Sequence, residues 1–263
     1  MDTELKGTNA LITGGSSGIG LGIATALARE GVNLAIASRH PDEEALRALQ
    51  THGVRVRAIP ADVSKEDEVR RMVASAVEAF GALHAYVNNA AWSWHEPVTK
   101  LTARGLENTM RTNLFACFWA CREVARHMIA RRSGAICIVG STAEFTPQGG
   151  EASYRASKLG LRGYMESLAV ELAPFGVRVN MVVPGHFVTR LTAGVPADTL
   201  ARLVEEIPLG RTGDPEEVGA MTAVLLSNRL TPYTTGAAVT VDGGLHLRPL
   251  KMLSREELAS LNT

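Results

Sequence analysis

Short apolar runs alternate with amphipathic stretches along nearly the whole chain, and that alternation leaves few folds open. The runs are Asn9 to Thr13, Asn33 to Ser38, Val54 to Pro60, Leu83 to Val87, Gly134 to Gly140, Val177 to Val183 and Ala237 to Val241. Between them apolar residues recur at helical spacing, as in Ile19, Ile23, Ala24 and Leu27. Strand, helix and strand in this order imply right-handed βαβ units, hence a mostly parallel sheet covered on both faces. With 263 residues and 46% apolar content the chain can bury a full core, and one α/β domain suffices.

Ligands of such sheets lie beyond the carboxyl ends of the strands, so the residues that follow each run carry the functional reading. After the first run comes Thr13-Gly-Gly-Ser-Ser-Gly-Ile-Gly20, where Gly14, Gly18 and Gly20 permit a tight turn and a close approach of backbone to ligand. The helix that follows presents its N-terminal N–H groups to a pyrophosphate. The second run ends in Ser38-Arg39 rather than in an acidic residue. A carboxylate there would bind the adenosine ribose of NAD, whereas arginine pairs with the additional phosphate of NADP. Arg39 thus argues for NADP, against the plainer reading of a solvated loop arginine; use of both cofactors stays open.

The third run leads into Ala61-Asp62-Val63, where Asp62 either meets the adenine amino group or caps the helix near 65–79. Ser64 is the nearer cap candidate. The fourth leads into Asn88-Asn89-Ala90-Ala91, with Asn88 expected to tie the strand end to neighbouring backbone. A single long helix is expected over 105–131, and Asn113 inside it, a poor helix former, either binds solvent or bends the ladder. The fifth run stops at Ser141-Thr142. The helix over 151–173 carries Ser153-Tyr-Arg-Ala-Ser-Lys158, with Tyr154 and Lys158 one turn apart on one face. A lysine beside a phenol favours the phenolate, so the pair can exchange a proton nearer neutral pH than an isolated tyrosine, whose pKa is about 10.

The sixth run stops at Pro184-Gly185. Residues 186–213 are irregular around a helical piece, Pro196 to Glu206, and read as a substrate lid. Asp214-Pro215-Glu216-Glu217 is a helix start with a capping box. The last run ends in Asp242-Gly243-Gly244, and 245–263 form a tail whose clearest helix signal is Ser254-Arg-Glu-Glu257.

Composition narrows the partners. Lys plus Arg equals Asp plus Glu at 27 each, so no net field favours nucleic acid or an acidic membrane. Arg126, Arg131 and Arg132 read as a charge cluster at a helix C-terminus. No uncharged apolar run is long enough to span a bilayer, and with the first strand pattern beginning near Asn9 no export signal is expected. Cys117, Cys121 and Cys137 form no metal-ligand ladder, and Cys117 and Cys121, four apart in an apolar helix, read as core, so no metal is expected, and the expected setting is the reducing cytoplasm.

Taken together, Thr13-Gly14 with Gly18 and Gly20, Asp62, Asn88-Asn89-Ala90, Asn113, Ser141, Tyr154 with Lys158, Pro184-Gly185 with Thr189, and Asp242-Gly243-Gly244 closely resemble the short-chain dehydrogenases/reductases from about Lys6 to Gly244. The resemblance implies a doubly wound, seven-stranded, mostly parallel Rossmann-like sheet and a homotetramer assembled through the long helices. It implies an alcohol/carbonyl oxidoreductase acting on a small molecule with NADP(H) preferred and NAD(H) possible. In it Tyr154 is the acid or base, Lys158 lowers its pKa and holds the nicotinamide ribose, Ser141 binds the substrate oxygen and Asn113 anchors a water. Cofactor contacts are implied for Gly14, Ser16, Ser17, Gly18, Ile19 and Gly20 at the first turn, and for Ser38, Arg39, Asp62 and Val63 at the adenosine end. The remaining contacts fall to Asn89, Ala90, Tyr154, Lys158, Pro184, Gly185, Val188 and Thr189.

Within the family the chain resembles 3-oxoacyl-carrier-protein reductases and glucose 1-dehydrogenases. Two departures stand out: Ala91 replaces a usual glycine, and Gly140 a frequent serine. The substrate wall is expected at Trp92, Trp94, His95, Glu144, Phe145, Gln148, His186 and Phe187, suited to a ring or a polyol, with His95 and His186 equally readable as plain loop histidines.

Overall fold

The computed structural model describes residues 2–93, 96–187 and 197–247. All seven expected strands form: β1 (Asn9–Thr13), β2 (Asn33–Ser38), β3 (Val56–Pro60), β4 (Ala85–Asn88), β5 (Gly134–Val139), β6 (Val177–Pro184) and β7 (Ala238–Val241). They make one sheet in the order β3-β2-β1-β4-β5-β6-β7, and every neighbouring pair is parallel. The order reverses between β1 and β4, where a doubly wound sheet opens a crevice at its carboxyl edge.

The side-chain alternation of the strands sorts the core into two layers. Leu11, Tyr86, Ile136, Ile138, Val179 and Met181 face one layer with α3 (Glu66–Phe80), α5 (Ala116–Arg131) and α6 (Ala152–Leu172). Ala10, Ile12, Leu34, Ile36, Val87 and Val139 face the other, with α1 (Gly18–Arg29), α2 (Glu43–Gln50) and α8 (Pro215–Leu226). β1, β5 and β6 are buried along their whole length, as strands covered on both faces must be, while the edge strand β7 is half-buried throughout. This is a single-domain, Rossmann-like α/β fold.

Helices α1 and α8 cross closely because both are cut away at the contact. A Cβ at Gly219 would lie 2.5 Å from the Gly22 carbonyl oxygen, and one at Gly22 would collide with Pro215. The start of α8 follows its sequence signature: Asp214 accepts from the Glu216 N–H, and the Glu217 carboxylate accepts from the Asp214 N–H at 2.8 Å. Cys117 and Cys121 are buried, as expected, and so is Cys137. The arginine cluster is also local: Arg126 pairs with Glu123, and Arg132, in the left-handed region at φ 52°, closes α5 and donates to the Pro174 carbonyl.

Two expectations are corrected. The long helix over 105–131 is divided into α4 (Ala103–Met110) and α5 by a π-turn over Arg111–Phe115. The division has a visible cause: the amide of Asn113 is drawn out of the helix by Trp92 and Ser157. Ser64 does not cap α3. The cap position is Lys65, without a side-chain bond, and Ser64 instead donates its N–H and hydroxyl to Asp62 Oδ1 at 3.0 and 2.7 Å. In the region read as a lid, the helical piece is α7 (Ala197–Glu205), while 188–196 and the tail from 248, including its helix signal at 254–257, lie outside the described residues.

Candidate active site

The glycine-rich turn joins β1 to α1 with Gly14 and Gly18 at φ 67° and 53°, values that side chains rarely adopt. Its shape is braced from β4. The amide nitrogen of Asn89 donates to the carbonyls of Thr13 and Gly14 at 2.9 and 3.2 Å, and Thr13 Oγ1 accepts from the N–H groups of Asn89 and Ala90. A Cβ at Gly20 would strike the Gly14 carbonyl, and one at Gly14 would lie 2.9 Å from Asn89 Nδ2. Ser17 stands at the N-cap of α1 with no side-chain cap bond. The first turn of α1 beside Gly18 and Ile19 therefore presents N–H donors at the carboxyl edge of the sheet, as a pyrophosphate requires. The backbone cradle fits a dinucleotide.

At the adenosine end the buried Ser16 donates to Ser38 Oγ at 3.4 Å, which sets the exposed Arg39 beside the turn. Burial acts to raise the Asp62 carboxyl, but hydrogen bonds from Ser64 and the charges of Lys65 and Arg39 outweigh it and hold the group below its ordinary range. Asp62 and Arg39 thus share one electrostatic environment. Val63 next to them is buried. The tie to neighbouring backbone expected of Asn88 is made by Asn89, while Asn88 Oδ1 accepts from the buried Tyr86 hydroxyl at 3.0 Å within its own strand.

The residues with acid-base chemistry gather on α6 and at the end of β5. Tyr154 and Lys158 lie one turn apart, with Lys158 Nζ 5.7 Å from the centre of the Tyr154 ring. The lysine is buried, and its ammonium donates to the Val139 carbonyl at 2.9 Å, so α6 is fixed to the last residue of β5. Two residues further, Ser141 opens a 3-10 turn over Thr142–Glu144. Its Oγ accepts from the Ala143 N–H at 3.2 Å, which leaves its own proton free to donate. Asn113 joins these parts to β4: Nδ2 donates to the Trp92 carbonyl at 2.9 Å and to Ser157 Oγ at 3.0 Å, and Oδ1 accepts from the Trp92 N–H at 2.7 Å.

At the far side Pro184-Gly185 packs against the end of β7, where a Cβ on Gly185 would lie 2.5 Å from that of Asp242. The Asp242 carboxylate accepts from the N–H groups of Gly244 and His246 and contacts the His246 ring at 2.8 Å, so the terminal Asp-Gly-Gly shapes the floor under that turn. Val188 and Thr189, the next expected contacts, lie outside the described residues, as do Trp94 and His95.

The expected substrate wall is only partly there. Trp92 and Phe145 are exposed, and the Phe145 ring tilts against His246 at 5.4 Å. His186 is partly buried, and that burial pushes its imidazole below the ordinary value, with Glu151 and Glu206 pulling the other way. Glu144 and Phe187 are each only 5% exposed, and Phe187 lines a cavity with Pro208, Leu209, Met221 and His246. Phe187 fills the space that the absent side chain of Gly213 leaves. Glu144 accepts from the Ser141 N–H at 3.1 Å and lies 3.6 Å from Arg162. Sequence reasoning also passed over Arg155, which donates to the Ala143 carbonyl. Arg155, Lys158 and Arg162 follow one another at three- and four-residue steps, a pattern that places three cations on one helical face.

Comparison with known proteins agrees with this geometry. A family model described as enoyl-(acyl carrier protein) reductase matches residues 14–246. The 3-oxoacyl-[acyl-carrier-protein] reductase FabG of Staphylococcus epidermidis is 34% identical over 242 residues, 91% of this chain and 99% of that protein. The 3beta-hydroxysteroid dehydrogenase 1 of Eggerthella lenta is 35% identical over 255 residues, 95% of this chain and 97% of its own length. Among solved structures, a putative short-chain alcohol dehydrogenase from Sinorhizobium meliloti superposes with a TM-score of 0.91 at 32% identity, covering 95% of this chain and all of that one. The RhlG/NADP active-site complex of Pseudomonas aeruginosa superposes with a TM-score of 0.86, also at 32% identity, over 93% of this chain and 98% of that one. The chain belongs to the short-chain dehydrogenase/reductase family, related to the FabG-type 3-oxoacyl-carrier-protein reductases, and shares its NAD(P)(H)-dependent oxidoreductase chemistry.

Proposed function

We propose that this protein interconverts a secondary alcohol and a ketone with NADP(H) as the preferred cofactor and Tyr154 as the acid or base. The observation that carries the reading is Tyr154 one turn from a buried Lys158, on a helix tied to the strand end that presents Ser141. Bound NADP(H) supplies or accepts the hydride. The glycine-rich turn with Ser16, Ser17 and Ile19 would hold its pyrophosphate, Ser38 and Arg39 its extra phosphate, and Asp62 and Val63 its adenine. Asn89, Ala90, Pro184 and Gly185, with Val188 and Thr189, would line its nicotinamide end.

In the reducing direction Tyr154 donates its phenolic proton to the substrate oxygen while Ser141 donates a hydrogen bond to the same oxygen; oxidation reverses both. The ammonium of Lys158 would favour the developing phenolate and would hold the ribose. Both amide protons of Asn113 are engaged, so we assign its amide to holding the Trp92 loop on α6, and a water in the relay to Lys158 would be held elsewhere on that turn. The assembly we propose is a homotetramer through α5 and α6, on whose surfaces Phe118, Leu159 and Val170 are exposed, with the exposed Phe115 at the end of the π-turn before α5. Among the described residues no helix is long and apolar enough to cross a membrane.

The relatives support two substrate readings, a 3-oxoacyl thioester and a hydroxyl on a ring. The exposed aromatic rings of Trp92 and Phe145 favour a flat or extended apolar substrate. Oxidation of glucose is the third arm of the test. NADPH and NADH are followed at 340 nm against acetoacetyl coenzyme A and cyclic ketones, and NADP and NAD against glucose and cyclic alcohols. Turnover with one class identifies the substrate type. Replacing Tyr154 with Phe should abolish it and leave NADPH affinity within about twofold, since the lost group meets the reacting oxygen and not the cofactor's anchoring phosphates; turnover that survives would overturn the mechanism.

A further inference from the structure

The carboxyl group of Glu144 is buried beside the reacting residues, and nothing in the chemistry above uses it. One oxygen, Oε1, accepts from the Ser141 N–H at 3.1 Å. The other, Oε2, is buried without a hydrogen bond, its nearest cation being Arg162 at 3.6 Å. The groups around it come from four elements. Ser141 faces it from its own turn, Lys158 and Arg162 from α6, Gly140 from the end of β5, and Met181 of β6 lies just behind Gly140. Burial raises the carboxyl above its ordinary range, and the Ser141 N–H and the charges of Lys158 and Arg162 offset only part of that.

Glu144 and Ser141 together make a capping box on a turn of three residues. An exposed Glu or Gln does the same with its head in water, whereas burying a carboxylate is expensive and leaves one oxygen without a hydrogen bond here. Helix capping alone therefore does not account for the placement. The backbone makes special room for it as well: a Cβ at Gly140 would run into Glu144 Oε1, so only glycine at 140 leaves the carboxyl its position. The same turn is held to α6 a second time, through the Ala143 carbonyl and Arg155.

We propose that Glu144 is a positioning residue for Ser141: it pins the serine main chain and, through Arg162 and Lys158, registers the serine hydroxyl against the helix that carries Tyr154. The inference rests on Ser141 as the substrate-oxygen donor. Its selective consequence is that Gly140 and Glu144 act as a pair, since any side chain at 140 displaces the carboxyl that aims the serine.

The test compares Glu144→Ala, Glu144→Gln and Gly140→Ala, each alone and combined with Ser141→Ala, and Gly140→Ala combined with Glu144→Ala, in NADPH-dependent reduction of acetoacetyl coenzyme A and cyclic ketones. Glu144→Ala should lower kcat by about 10- to 100-fold, the scale of an ångström-sized misplacement, with NADPH affinity within about twofold. Glu144→Gln keeps the acceptor and should restore kcat to within about threefold of the parent. In the Ser141→Ala background Glu144→Ala should cost almost nothing further, because it acts through the serine. Gly140→Ala should mimic Glu144→Ala and add nothing to it. Amide hydrogen exchange at Ser141 gives a readout that needs no turnover: about tenfold faster in Glu144→Ala, unchanged in Glu144→Gln. An additive loss in the Ser141→Ala background, or unchanged exchange at Ser141, overturns the proposal. If Ser141→Ala itself has no effect on turnover, it is the catalytic reading of the serine that fails.

Discussion

Arg39 should separate the two nicotinamide cofactors, and the size of the effect follows from where it stands. The side chain is exposed at the end of β2, and its charge is felt by Asp62 across the adenosine end of the cleft. A charge-assisted hydrogen bond to phosphate contributes about 1.5–3 kcal/mol, and exposure argues for the lower part of that range. Removing the guanidinium with Arg39→Ala should therefore lower kcat/KM for NADPH by about 10- to 30-fold. NADH has no phosphate at that position, so its kcat/KM should change by less than about threefold, and kcat at saturation should hold for both. The preference should also depend on salt. Raising the ionic strength from about 0.1 to about 1 M shortens the screening length from about 10 to about 3 Å, so the parent protein should lose most of its NADPH advantage while Arg39→Ala responds weakly. Steady-state kinetics at 340 nm with both cofactors at both salt concentrations decides it. Equal losses for NADPH and NADH on substitution, or a cofactor preference indifferent to salt and to Arg39, would refute the assignment of phosphate recognition to this residue.

Asn113→Ala removes three hydrogen bonds and leaves the Trp92 N–H without its acceptor, so thermal unfolding should report a loss of about 2–4 kcal/mol. Asn113→Asp should be worse at neutral pH despite its identical shape, because a carboxylate would face the Trp92 carbonyl, and acidification should recover part of the difference. Arg178, 7% exposed, donates to the carbonyls of Leu225 and Leu226 at the end of α8, to the Thr234 carbonyl, and to Asn228 and Thr231. Arg178→Met should cost about 3 kcal/mol and lower Tm by roughly 6–12 °C, and a Tm unchanged within about 2 °C would dismiss its role as a buried helix terminator. The Arg211 pairing holds Glu217 down to about 2, from an ordinary value of 4.5. A depressed carboxylate stabilises the fold above its unfolded value and loses that contribution as pH falls from about 4.5 toward about 2. The Tm difference between parent and Glu217→Gln should therefore shrink over that range, and because the pair is exposed the difference should be small and fall further with added salt.

The strands were legible because each is an apolar run bounded by glycine, asparagine or serine, and the central ones, buried on both faces, need nothing else to declare themselves. The glycine-rich turn and the Tyr154–Lys158 spacing were legible for a similar reason: their geometry is local. What the sequence did not reveal depends on partners distant in the chain. Asn113 announced itself as a poor helix former, but the π-turn follows from Trp92 and Ser157, 21 residues before it and 44 after. Ser64 had the composition of a cap and gave its hydroxyl to Asp62 instead. Asn89 looked like a residue for the cofactor, and its amide nitrogen is spent on holding the turn that such a cofactor would meet.

Glu144 is the most instructive case, because a glutamate after an active-site serine reads naturally as part of a polar substrate wall. Its burial depends on a hole that only glycine at 140 leaves open and on cations that arrive with α6, at Lys158 and Arg162. In the sequence the glycine looked like one departure from the family pattern and the glutamate like another, unrelated choice about substrate. The structure makes them one feature. Restoring a serine at 140 would push the carboxyl off the Ser141 N–H, and removing the carboxyl would leave a buried gap and take a counter-charge from Lys158 and Arg162, of which Arg162 keeps Glu166 at 3.4 Å. Two substitutions that look independent along the chain are therefore expected to be non-additive: each alone should disturb the aim of the serine more than the stability of the fold, and the second should add nothing to the first.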